Sequence, residues 1–122
     1  MRLLPVLLIV GLLAVVGLAP TAQARSSSCS PTGDYCTQVA KRHGKTVFVI
    51  STFSFRGRVK LCVTAPDKTR ACKQVRLLSV GKGVYRSTKG WRANFRYKGK
   101  GVYRVTWAQS ARLGPVLSFR VR

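Results

Sequence analysis

The sequence predicts an all-β domain: a small antiparallel sandwich or barrel of about seven short strands. Two local disulfides staple it and a signal peptide precedes it. Three observations carry the prediction. Val, Ile, Thr and aromatic residues alternate with Lys, Arg and Ser in short runs. Turn residues interrupt these runs about every 8 to 12 residues. Four cysteines, Cys29, Cys36, Cys62 and Cys72, occur in a chain of 122 residues. Beyond the first 24 residues no stretch has helical periodicity, and no internal repeat is evident.

The chain begins Met1-Arg2 and then runs apolar from Leu3 to Ala19, ahead of the small-residue site Ala22-Gln23-Ala24. One charge, an apolar stretch and an Ala-x-Ala site are the parts of a secretory signal peptide, so residues 1–24 are expected to be removed before Arg25. The remaining 98 of the 122 residues form one domain. A domain of that size is only marginally stable from its core alone, and staples are expected. In an oxidising compartment the cysteines form disulfides, and their spacing favours Cys29 with Cys36 and Cys62 with Cys72. There is no Cys-x-x-Cys and the single histidine is His43, so no metal site and no cofactor are expected.

Residues 25–38 open with Ser26-Ser27-Ser28 and Ser30-Pro31-Thr32-Gly33 and read as an irregular segment clipped by its own disulfide. The β domain proper is expected over 39–122. Lys45 to Phe53 is rich in β-branched and aromatic residues and leads to the Arg56-Gly57-Arg58 turn. Val59 to Thr64 alternates, placing Val59, Leu61 and Val63 on one face and Lys60, Cys62 and Thr64 on the other. Ala65-Pro66-Asp67-Lys68 is turn chemistry. A hairpin centred on Asp67 sets Cys62 opposite Cys72, Leu61 opposite Lys73 and Val59 opposite Val75, with the disulfide on the outer face.

Val75 to Ser79 is the next run, ending at Gly81-Lys82-Gly83. Val84 to Thr88 follows as a strand, and Gly90 to Phe95 is of uncertain type. Gly99-Lys100-Gly101 turns into Val102 to Trp107, where Tyr103, Val105 and Trp107 share an inward face. Gly114-Pro115 leads to the last strand, Val116 to Val121.

These last two runs resemble the final strands of immunoglobulin-like sandwiches. The resemblance implies that Tyr103 is a tyrosine-corner residue whose hydroxyl bonds backbone upstream, while Trp107 is expected in the core from its register with Tyr103 and Val105. Val105 stands where an immunoglobulin domain has its second cysteine, so the inter-sheet disulfide is absent. The whole chain is also similar to small exported bacterial proteins with no established activity.

Charge is the most unusual feature of the composition. Lys and Arg number 23 against two acids, Asp34 and Asp67, and removing Arg2 leaves a net +20 on residues 25–122. Such a chain associates with polyanions. Acid–base catalysis needs paired carboxylates or a partnered histidine, yet Asp67 has a turn role, Asp34 lies in a disulfide loop and His43 sits in Lys41-Arg42-His43-Gly44. There is no Gly-x-Ser-x-Gly elbow and no phosphate loop ahead of a helix. No enzyme is expected. The densest basic and aromatic cluster is Arg92, Arg96, Tyr97, Lys98 and Lys100, a pattern able to grip polyanions or stacked bases. The expectation is a secreted, extracellular, non-catalytic module that binds an anionic envelope polymer or other polyanion, and nucleic acid only non-specifically. The competing class is a cationic antimicrobial or toxin-like effector on anionic membranes, although the chain has no amphipathic cationic helix to support it. Oligomeric state is left open.

Overall fold

A computed structural model of the chain describes residues 25–122. The expected signal peptide lies outside the described residues, and among those described no helix is long and apolar enough to cross a membrane. Nine strands form two antiparallel sheets around one core. They are β1 (Ser27–Cys29), β2 (Tyr35–Arg42), β3 (Lys45–Thr52), β4 (Arg58–Thr64), β5 (Arg70–Arg76), β6 (Leu78–Gly81), β7 (Val84–Gly90), β8 (Gly101–Ala108) and β9 (Leu117–Val121). One short helix, α1 (Trp91–Asn94), follows β7. The five-stranded sheet has the order β1-β2-β3-β7-β6 and the four-stranded sheet β5-β4-β8-β9.

Alternation builds both sheets. On β8, Tyr103, Val105 and Trp107 are buried while Arg104 is exposed. On β4, Val59, Leu61 and Val63 face the same core. The opposite sheet contributes Val39, Phe48 and Ile50, and the two layers close on Leu117 and Leu77. Turn chemistry fixes the registers. His43-Gly44 and Lys82-Gly83 both have positive φ at the two loop positions (52° and 74°, 55° and 75°), the type I′ geometry that matches strand twist. At the β4–β5 hairpin, Lys68 N–H donates to the Ala65 carbonyl at 3.0 Å and Lys68 takes φ 72°, a type I turn closed by one left-handed residue. The register is the one the sequence predicts: Cys62 faces Cys72, Leu61 faces Lys73 and Val59 faces Val75.

Both disulfides form as expected, Cys29–Cys36 and Cys62–Cys72, with Cα–Cα distances of 4.0 and 4.1 Å. Each joins residues directly opposite on an antiparallel pair. Three expectations are corrected. The segment 25–38 is not irregular: β1 and the start of β2 make it a hairpin, with Cys29 across from Cys36 and the turn over Ser30 to Asp34. The run Val75–Ser79 is two strands, because the chain leaves the four-stranded sheet at buried Leu77 and enters the five-stranded one. Leu77 N–H donates to the Gly57 carbonyl at 2.8 Å, which satisfies the backbone at that crossing. These two extra strands, β1 and β6, raise about seven strands to nine. Gly90 to Phe95 resolves into α1 preceded by an extended Gly90.

One glycine is dictated by packing. Gly101 has φ 133°, and a Cβ there would lie 2.9 Å from the Pro66 side chain, so the start of β8 and the β4–β5 turn meet only with glycine at that position.

Candidate polyanion-binding surface

All the lysines and arginines in residues 25–122 are exposed except half-buried Lys89. Strand alternation then sorts many of them onto faces. On the outward side of the four-stranded sheet, Arg58 stands directly opposite Arg76, and Lys60 lies between Gln74 and Ala108. Cys62–Cys72 and Thr106 form the next row, followed by Arg70, Thr64, Arg104 and Ser118, and then by Val102 with Arg120. Six bases therefore share one face, in two groups separated by the disulfide. From the Arg58 row to the Arg104 row is about 20 Å along the strands. No acid lies on this face, since the two acids of the described residues sit in turns.

Like charges directly opposite on an antiparallel pair are destabilising. Arg58 and Arg76 are such a pair, so the face keeps its charge against a local cost. The disulfide at its centre holds β5 to β4, and Cys62 is only 2% exposed beneath it. Lys73 points the other way on β5, toward the core side, with its Nζ 6.0 Å from the Phe95 ring. An inward charge on an edge strand also discourages further strand pairing.

The five residues singled out from the sequence lie between β7 and β8, and all are exposed. They do not form one patch. Arg92 packs its guanidinium over Tyr97 at 4.7 Å and over Trp91 at 5.4 Å, so these three come together. Arg96 and Lys98 instead line a cavity of about 330 Å³ with Arg70, Thr69, Val63 and Phe95. Lys100 stands just before β8, at the same strand parity as Val102 and Arg104. Tyr103, expected to bond backbone upstream, donates its hydroxyl to the Gly99 carbonyl at 2.7 Å and accepts from Lys98 N–H at 2.9 Å. Trp107 is 1% exposed, in the core as expected.

The sequence reading missed Arg58, Lys60, Arg70, Arg76, Arg104 and Arg120 as members of a site. The signal was present as alternation, since each stands at the outward parity of its strand. It was diluted because the face draws on four strands.

The two acids and the histidine are apart. Asp34 immediately precedes β2 and His43 immediately follows it, so about 27 Å of strand separates them. Asp67, in the β4–β5 turn of the other sheet, accepts from the Thr69 hydroxyl and from Thr69 N–H. These bonds, with Lys98 nearby, hold its carboxyl below the ordinary value of 3.8. Among the described residues no group of three or more His, Cys, Asp or Glu could hold a metal, and no cysteine is free.

No family model, curated protein or solved structure matches the chain.

Proposed function

We propose that this chain is a secreted, non-catalytic binding or structural module that attaches through Lys and Arg to anionic extracellular or envelope polymers. The observation that carries the reading is the outward face of the four-stranded sheet. Six bases lie there without a carboxylate, and two of them, Arg58 and Arg76, stand directly opposite one another. A polymer bearing repeated negative charge would relieve that repulsion along about 20 Å of strand. Two disulfides support an oxidising, extracellular compartment. The separation of His43 from Asp34 along β2 supports a module without acid–base chemistry.

We read the fold as an immunoglobulin-like sandwich of the kind found in small exported bacterial proteins. The strand order supports this. Taking β2, β3, β4, β6, β7, β8 and β9 as A, B, C, D, E, F and G gives the sheets A-B-E-D and C-F-G, with β5 beside C. The bonds of Tyr103 to Gly99 and Lys98, at the start of the F-equivalent strand, are those of a tyrosine corner.

The test is retention of the oxidised protein, residues 25–122, on isolated cell envelope and on polyglutamate across a salt series. The proposal expects retention that falls with salt and a marked loss in the triple variant Arg58→Gln, Arg76→Gln, Arg104→Gln. Equal retention of the triple variant at every salt concentration would overturn it.

A further inference from the structure

A second basic site adjoins the broad face, sharing Arg120 with it, at the side of the sandwich where the two sheets' edges approach. There β2 from one sheet and β9 from the other flank a groove of about 900 Å³, within the range of small-molecule sites. Arg25 and Ser26 cross above it: Ser118 N–H donates to the Arg25 carbonyl at 2.8 Å and Val39 N–H to that of Ser26 at 2.7 Å. The wall of the groove is mainly apolar, made by Val39, Ala40, Trp91, Ala93, Phe119 and Val121. Its cations are Lys41 and Lys45 from the β2–β3 hairpin, Arg92 from α1, and Arg120 and Arg122 from β9 and the residue after it. No Asp or Glu lines it.

Two features mark this groove as a formed site. Its floor is rigid: Phe119 stacks on Tyr103 with centroids 5.1 Å apart, and Trp91 meets both edge-on at 5.0 Å. Arg92, at its rim, is held between Trp91 and Tyr97 by cation–π contact, which fixes the guanidinium before any ligand arrives. An inorganic anion would use the cations and leave the apolar wall wet. A neutral apolar molecule would use the wall and leave five cations unanswered. We infer that the groove binds an anionic amphiphile, its single alkyl chain against Val39, Ala93, Phe119 and Val121 and its phosphate or carboxylate head among Lys45, Arg92 and their basic neighbours. The inference does not depend on polymer binding by the outer face.

The experiment is calorimetric titration of residues 25–122 with octyl, decyl and dodecyl phosphate below their micelle concentrations, beside inorganic phosphate and dodecylphosphocholine. Each methylene that enters the groove raises affinity about fourfold, so octyl to dodecyl spans about two hundredfold for four buried methylenes. One-to-one binding with that chain-length dependence is expected, weaker for the zwitterionic head. Ala93→Trp fills the groove from an exposed position and should weaken dodecyl phosphate at least about tenfold. Arg92→Gln with Lys45→Gln should weaken the phosphates and leave dodecylphosphocholine unchanged. The triple variant Arg58→Gln, Arg76→Gln, Arg104→Gln should bind dodecyl phosphate as the parent does, which separates failure here from failure of the polymer reading. Arg120 belongs to both sites and is left out of both variant sets. Incubation with phosphatidylglycerol vesicles, followed by pelleting, identifies the source. Lipid that stays with the soluble protein in one-to-one ratio marks a ligand drawn from a bilayer. Dodecyl phosphate binding without such transfer marks a free amphiphile. Affinity independent of chain length, or an Ala93→Trp protein with unchanged thermal stability and unchanged binding, overturns the inference.

Discussion

The outward faces of the two sheets rest on the same core and differ in what they show to solvent. On the four-stranded sheet, Arg58, Lys60, Arg70, Arg76, Arg104 and Arg120 surround a disulfide. On the five-stranded sheet the outward positions are chiefly Ser27, Gln38, Ala40, Val47, Ser51 and Thr88, with buried Val49, the Cys29–Cys36 disulfide and three bases, Arg42, Lys45 and Arg86, among them. There Arg86 spends its Nε on the Ser51 hydroxyl at 2.9 Å. The second face is an internal control for the first. This face mixes Ser, Thr and Gln with Ala40 and Val47 and carries three bases, of which Arg42 and Lys45 also stand directly opposite one another. Bases serving only as a polar coat would be shared more evenly. Six bases on one side against three on the other is the asymmetry on which the proposed attachment to an anionic polymer rests.

The largest way to break the comparison is to remove the staples one at a time. Loop-closure entropy for separations of 10 and 7 residues is nearly the same, about 2.5 kcal/mol for each bridge. The consequences should differ. Cys62→Ala with Cys72→Ala frees β5, a seven-residue strand whose Val75 is buried in the core. A loss of about 2.5 kcal/mol there lowers Tm by about 10 to 20 °C. Cys29→Ala with Cys36→Ala frees β1, a strand of three residues at the edge, so the expected outcome is local fraying and a smaller fall in Tm. Thermal melts of both variants check this, and raising the salt should recover part of the loss only where Arg58 faces Arg76.

Tyr103→Phe is the next largest. It removes the acceptor for Lys98 N–H and the donor to the Gly99 carbonyl at the end of the basic segment. About 1 to 2 kcal/mol should be lost, read by denaturant unfolding with an unchanged slope. Hydrogen exchange at Lys98 should rise in the same variant.

How much of this was legible in the sequence follows from where the information lies. The Cys62–Cys72 register could be computed because a single turn, Pro66-Asp67-Lys68, fixes it and every residue concerned is local. Tyr103, Val105 and Trp107 were legible for the same reason: alternation within one strand needs no partner. The break at Leu77 was not legible. Nothing in Val75-Arg76-Leu77-Leu78-Ser79 marks a change of sheet, because both sides of the break are strand and only tertiary pairing distinguishes them. The site suffered in both directions. Arg92, Arg96 and Lys98 are close in the sequence yet divide between two cavities, Arg92 at one and Arg96 with Lys98 at the other, while the six-base face is sparse in sequence and dense in space.

Neutralising the opposed pair sharpens the comparison further. Arg58→Gln with Arg76→Gln should raise stability by about 0.5 kcal/mol at low salt, with the gain fading as salt is added. The same variant should weaken polyanion binding. With duplex DNA as a non-specific probe, the slope of log affinity against log salt should fall by about 0.9 for each phosphate that the variant no longer neutralises. Arg42→Gln with Arg86→Gln removes as many charges from the other face and should change that slope less.

The smallest effect concerns the carboxylate nearest the basic sheet. Asp67 caps the β4–β5 turn through Thr69, and those bonds, then Lys98, favour its ionised form in the fold. Its pKa is therefore lower folded than unfolded, where 3.8 is the ordinary value. On acidification the unfolded chain takes up the proton first, so the contribution is fully present above that ordinary value. It is lost as the pH falls through the depressed folded value. The difference in Tm between the parent and Asp67→Asn should be greatest near neutrality and close over the acid range below about pH 4. Full exposure of the group keeps this difference small. The same substitution removes a negative charge from the end of the basic sheet, so Asp67→Asn should strengthen polyanion retention. Asp34→Asn, in the turn of the less basic sheet, should do so less. Equal gains from the two would mean that the polymer feels the net charge of the whole molecule and not the face that concentrates it.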